Sequence, residues 1–250
     1  MRYFIELAFH GQNYHGWQIQ ENALTVQAII EQKLAILFKQ SIEITGCGRT
    51  DTGVHASQYF AHFDFENEID SKQISYQLNA ILPGDIVIKR LIPVAPNLHA
   101  RFDATSRTYQ YVIRTKPSPF ERDLSWTYTP KLDIDAMNEA AALLLEHQNF
   151  ECFSKVKTQV KTFDCDVTFA KWELKDKDKL VFEISANRFL RNMVRAIVGT
   201  LIEVGLGKMD KEGFLSILES KNRSMAGQSV PAQALFLTQI TYPLSAGLAQ

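Results

Sequence analysis

The sequence predicts an α+β fold, and three observations carry the prediction. Period-two and period-3.6 hydrophobic patterns follow one another along the 250 residues without the strict strand–helix–strand alternation of a doubly wound parallel sheet. Some successive strand patterns lie close enough to pair as hairpins. The composition, 46% hydrophobic and 22% charged, is that of an ordinary globular chain long enough to bury a substantial core.

Taken in order, Tyr3, Ile5, Leu7 and Phe9 alternate with Arg2, Glu6 and His10, which predicts a strand over residues 2–9. The charge inside that pattern separates it from a signal peptide. Val26, Ile29, Ile30, Leu34, Leu37 and Phe38 recur at helical spacing over 25–39, with Thr25 placed to cap the first turn. Residues 57–65 alternate again, with Tyr59, Ala61, Phe63 and Phe65 on one face. A helix over 71–81 stops before Pro83 and Gly84. Strands follow over 85–92 and 106–115. The rest of the chain brings a helix over 134–146, strands over 162–174 and 179–186, a long helix over 187–204, a shorter one over 210–219 and a last strand over 234–241. The division between halves falls near 100–106, giving an N-terminal half of residues 1–105 and a C-terminal half of 106–250. No apolar run approaches the roughly 20 residues that span a bilayer.

Net charge is −1, which excludes a chain coated in positive charge but leaves room for a local basic groove. The distribution is uneven. Residues 64–70, "DFENEID", carry four acids and no base, whereas 101–122 gather Arg101, Arg107, Arg114, Lys116 and Arg122 against Asp103 and Glu121. Lys155, Lys157 and Lys161 follow further on; a solvated face is the simpler reading of any one such cluster. The three cysteines, Cys47, Cys152 and Cys165, are few, odd in number and without metal spacing, which fits a reduced, cytoplasmic protein. No basic partner for Cys47 is identifiable, so a reactive thiol there is not favoured.

The stretch "ITGCGRTDTGVHASQYFAHFDF", residues 44–65, concentrates the chemistry. Its Asp51-Thr52-Gly53 resembles the tripeptide of an aspartic protease, but such an enzyme needs two carboxylates sharing a proton, and Arg49 beside Asp51 opposes that sharing. A dinucleotide fingerprint fails because the third glycine, Gly53, comes two positions late and a strand pattern follows instead of a helix. No P-loop sequence occurs. His55, His62 and Asp64 do not have the spacing of a recognised metal set. Two readings of Asp51 stay open on spacing alone: a nucleophile on a glycine-shaped loop, with Gly46 and Gly48 permitting close approach and Gly53 a sharp turn, or the simpler structural turn with a capping aspartate.

"GCGRTDTGVHA" closely resembles the signature G-x-G-R-T-D-x-G-V-H-A of the TruA-type tRNA pseudouridine synthases. Further blocks resemble the same family in the same order: "YHGWQIQENALTVQ", "LNAILPGDIVI", "LHARFDATSRTYQYVI" and "ISANRFLRNMVRAIVGTLIEVGLGK". One departure is Ala234, in Pro231-Ala232-Gln233-Ala234-Leu235, where the family usually has glycine. If that position needs a positive φ, the local turn must differ.

The resemblance implies an isomerase acting on uridines at positions 38 to 40, in the anticodon arm of tRNA. It implies a homodimer that needs no cofactor and no metal, with an α+β protomer of two similar halves and the cleft between them. By the same resemblance Asp51 matches the catalytic aspartate and Arg49 the arginine that holds the target nucleotide out of the helix. Tyr109 matches the active-site tyrosine, and Arg195 the arginine that pairs with the aspartate, a guanidinium–carboxylate contact that favours the charged acid. On the predicted long helix, Arg188, Arg191 and Arg195 would share one flank. Arg101, Arg107, Arg191 and Lys155 join Arg114, Lys157 and Lys161 as candidates for the RNA backbone, and His55 is expected to shape the loop rather than to catalyse. Breaking the N1–C1′ bond and joining C5 to C1′ oxidises nothing, so a carboxylate that attacks or stabilises positive charge at C1′ suffices. Two rival classes remain at this point: a non-catalytic RNA-binding module of the same fold, and a hydrolase using Asp51.

Overall fold

The computed structural model describes residues 1–156 and 160–248, so Lys157 lies outside the described residues. The chain forms two compact units, one of residues 1–106 together with 237–250, the other of residues 107–236. The division expected near residue 105 thus omits a return: the C-terminal residues rejoin the first unit.

The first unit is built on β1 (Arg2–Phe9), α1 (Val26–Phe38), β2 (Thr45–Gly46), β3 (His55–Asp64), α2 (Ser71–Ile81) and β4 (Ile86–Val94). β1 lies between β3 and β4 and is antiparallel to both, with Ile5 opposite Ala61 on one side and Leu91 on the other. The alternation that predicted β1 suggests one buried face, but both are covered. Phe4 packs against Phe60, His62 and Tyr242, and buried Glu6 is paired with Arg90 and accepts from Gln58. A central strand covered on both faces loses the period-two signal at such positions. Thr25 caps α1 as expected, accepting from the Ala28 amide, and Asp70 caps α2 by accepting from Lys72 and Gln73.

The second unit carries β5 (Ser106–Arg114), β6 (Trp126–Thr127), α3 (Ile134–Ala142), β7 (Val167–Asp176), β8 (Lys179–Ala186), α4 (Met193–Gly205) and α5 (Lys211–Ser220). β8 is antiparallel to β5 and to β7, with which it makes a hairpin, while β6 runs parallel to β5, so the sheet is mixed. β9 (Leu235–Thr241) leads the chain back to the first unit, beside β3. The fold class is α+β, as the sequence predicts. Among the described residues no helix is long and apolar enough to cross a membrane.

The helix expected over 187–204 begins only at Met193. Asn192 sits in the left-handed region at φ 66°, which ends helical geometry ahead of Met193. Arg188 and Arg191 therefore precede α4, and the predicted helical row of three arginines does not exist; only Arg195 is on the helix.

Candidate active site

Asp51 lies in the turn between β2 and β3, and the residues of 10–18 wrap that turn. Gly53 has φ 80°, the sharp turn its position suggests, and its amide donates to the Tyr14 carbonyl, while Val54 donates back to Asp51. Gly16 has φ 86°, and a Cβ there would lie 2.2 Å from the Thr50 carbonyl oxygen, so the two backbones meet where only glycine fits. Gly11 donates to Nδ1 of buried His55 at 3.0 Å, so His55 holds the loop, as expected. Trp17 stacks on Tyr59 with ring centres 4.0 Å apart, directly over Gly46. The Tyr59 hydroxyl donates to the Gly48 carbonyl. Gly46 thus serves close approach, whereas Gly48 faces open space. Arg49 is exposed, its Nε donating to Gln18 at 3.0 Å. Asp51 itself is partly exposed.

Spacing in the sequence does not reveal this wrapping, because Tyr14, Gly16 and Trp17 lie far along the chain from residue 51. The only signal was that they fall in "YHGWQIQ". Tyr14 is anchored in turn by donating to Asp85, and burial, followed by that bond, raises its phenol above the usual range. The three residues considered as metal ligands are not gathered: His55 holds Gly11, His62 accepts from the Ala100 amide, and Asp64 pairs with Arg2.

Arg101 belongs to the same unit, on the turn at residues 99–103, where it and Phe102 are exposed and Ala100 is buried. That turn hangs from β3 through His62 and from Tyr242, whose hydroxyl donates to the Ala100 carbonyl.

In the second unit, residues 187–191 act as a hub. Arg107 donates to the Asn187 carbonyl at 2.7 Å. Tyr109, part-buried on β5, meets Phe189 edge-on with ring centres 5.1 Å apart. The Lys155 amide donates to the Arg191 carbonyl, which sets the backbones of these two exposed residues side by side. Arg195 is fixed from both ends: its Nε donates to the Val230 carbonyl at 2.7 Å, and the Val230 amide donates to the Arg195 carbonyl. The segment that does this is itself tied down, Asn192 donating to Ser229, Gly227 to Thr200 Oγ1, and Tyr111 to the Pro231 carbonyl.

One backbone-contact candidate is corrected. Arg114 pairs with Glu121 at 2.8 Å and Asp178 at 3.1 Å, so its charge is used within the unit to tie down the loop that follows β5. The cysteines are buried thiols, and burial pushes Cys152 up to about 12 and Cys165 up to about 11, far from the thiolate at neutral pH. Ala234 occupies a 3-10 turn outside the left-handed region, so the alanine fits without strain.

The sequence profile of the tRNA pseudouridine synthase family matches residues 7–103 and 140–243. Similar full-length relatives are the tRNA pseudouridine synthase A of Parabacteroides distasonis, 51% identical with 97% of this chain and 96% of the relative covered, and that of Bacteroides fragilis, 49% identical with the same coverage. The corresponding protein of Ruminiclostridium cellulolyticum is 39% identical, with 95% of this chain and 98% of the relative covered. By class, then, the molecule is an isomerase. The chain belongs to the tRNA pseudouridine synthase family.

Proposed function

We propose that this enzyme converts uridine to pseudouridine at positions 38 to 40 of the tRNA anticodon stem-loop, with Asp51 as the catalytic carboxylate, a flipped target base and no cofactor. The observation that carries the reading is the Asp51 turn: the family signature falls on a loop immobilised by contacts from residues 11, 14 and 16, with its acid left partly open. A preorganised carboxylate is what attack or charge stabilisation at C1′ requires.

In this reading the N1–C1′ bond breaks, the uracil turns, and C5 bonds to C1′. The C5 proton is then lost and N1 gains one, so the product is an isomer. Extruding the uridine costs a few kcal/mol, and Arg49, exposed beside Asp51, fills the space left and holds the phosphate. Tyr109 stacks on the uracil and stands as the base for the C5 proton. Arg195 pairs with Asp51; the resemblance supports this pairing, and the clamp from Val230 supports a fixed guanidinium. Arg101, Arg107, Arg191 and Lys155 contact the RNA backbone. The enzyme acts as a homodimer in the cytoplasm.

The test is tritium release from unmodified tRNA labelled at uridine C5. Wild type is expected to release it, and Asp51→Asn to release none above background while still binding tRNA. An inert wild type removes the function; full activity in the Asn variant removes the assignment of Asp51.

A further inference from the structure

Phe102 sits beside Arg101 on the turn at residues 99–103, and 74% of it is exposed. A phenyl ring left in water forgoes the gain that burial brings, and a loose loop would let it fold back. This loop is instead held from several directions. His99 Nδ1 accepts from the amides of both Arg101 and Phe102. The Asp103 carboxylate accepts from the His99 amide at 2.6 Å, and the Asp103 amide donates to the His99 carbonyl. Ala100 donates to buried His62 and accepts from Tyr242. The His99 ring supports Phe102 with centres 4.3 Å apart, and the Arg101 guanidinium lies 5.6 Å from the phenyl centre.

We propose that Phe102, with Arg101 at its side, is a stacking platform for an unpaired base of the substrate RNA. The inference rests on the RNA-modifying reading above and adds a residue to it. A π-face held by its loop, with a cation beside it, is the pair of features that binds single-stranded nucleic acid: the ring takes the base and the guanidinium takes the phosphate or the base's other edge. The one acid on the turn, Asp103, is turned onto the His99 amide, so its charge is engaged within the loop. Holding the ring in place beforehand lowers the ordering cost on binding.

The experiment measures the affinity of the full-length protein for unmodified tRNA at two salt concentrations, by filter binding. Phe102→Leu keeps an apolar side chain but removes the π-face, and is expected to weaken binding by about 5-fold or more with an unchanged salt slope. Phe102→Trp is expected to restore wild-type affinity. Arg101→Ala is expected to weaken binding and to reduce the salt slope by about one. Affinity of the Leu variant within about two-fold of wild type overturns the platform. So does a Leu variant that changes oligomeric state in sedimentation while its tRNA affinity holds, which would make Phe102 a protein contact. Circular dichroism confirms that each variant is folded. Tritium release by wild type is measured alongside: its absence strikes at the functional reading, whereas its presence with unaltered Leu affinity strikes at the platform alone.

Discussion

Gly16 carries more of the Asp51 geometry than any feature of its own sequence neighbourhood suggests. At φ 86° it is in a conformation that costs a side-chain-bearing residue about 1–3 kcal/mol, and an added methyl would displace the backbone of Thr50, next to Asp51. If Asp51 acts as proposed, Gly16→Ala is expected to lower stability moderately and turnover disproportionately, by about tenfold or more, because a misplacement of about 1 Å in a reacting group is costly. Tritium release measured where circular dichroism shows the variant folded checks this; normal turnover there would mean that the wrapping segment does not position Asp51. The signature itself is legible because Arg49, Asp51 and Gly53 fall within five residues of one another. Gly16 was not, because its partner is remote in sequence and a single glycine says nothing about what approaches it.

Among the elements, the helix boundaries marked by capping or breaking residues are legible in the sequence, whereas the start of α4, set by a backbone state, is not. Thr25 marks the start of α1, and Pro83 with Gly84 forbids continuation of α2 beyond its observed end at Ile81. The apolar run through Phe189, Leu190, Met193 and Val194 looks like one helix, yet Asn192 in the left-handed region splits it, and periodicity does not register a φ angle. The segment so released is the one that meets Arg107, Tyr109 and Lys155. The turn at residues 99–103 is likewise set by an element contact, through His62 on β3. Burial first, then the charges of Arg2 and His99, push His62 down to about 4, with Asp64 opposing. Its neutral form accepts the Ala100 amide. The folded value is below the unfolded one near 6.5, so the unfolded chain binds protons more readily as pH falls. This contribution to stability is complete above about pH 6.5 and is lost progressively towards pH 4. The thermal midpoint should fall through that window. His62→Asn, which keeps an acceptor but does not titrate, should flatten the dependence; an unchanged slope would show that His62 is not its source.

On the scale of the whole molecule, the order in which the chain visits its two units has a consequence for stability. It leaves the first unit after Ser106 and returns at Leu237, so the first unit is discontinuous and the second, residues 107–236, is a single stretch. A hydrophobic pattern gives the last strand but not its destination, which is why dividing the chain near residue 105 left the return out. The returning residues are not ornamental: Leu237 and Ile240 are each 2% exposed, Ile240 donates to Gln58 on β3, and Tyr242 holds Ala100. Burying two such aliphatic side chains contributes about 1.5–3 kcal/mol each, together a large share of the roughly 5–15 kcal/mol that keeps a typical domain folded. A chain ending at Phe236 should therefore expose the first unit selectively. Limited proteolysis is expected to cut rapidly within residues 1–106, where the Asp51 turn lies, while residues 107–236 stay protected. Equal protection of both would mean that the first unit is complete without its returning strand, and equal loss of both would mean that the two units do not unfold as separate bodies.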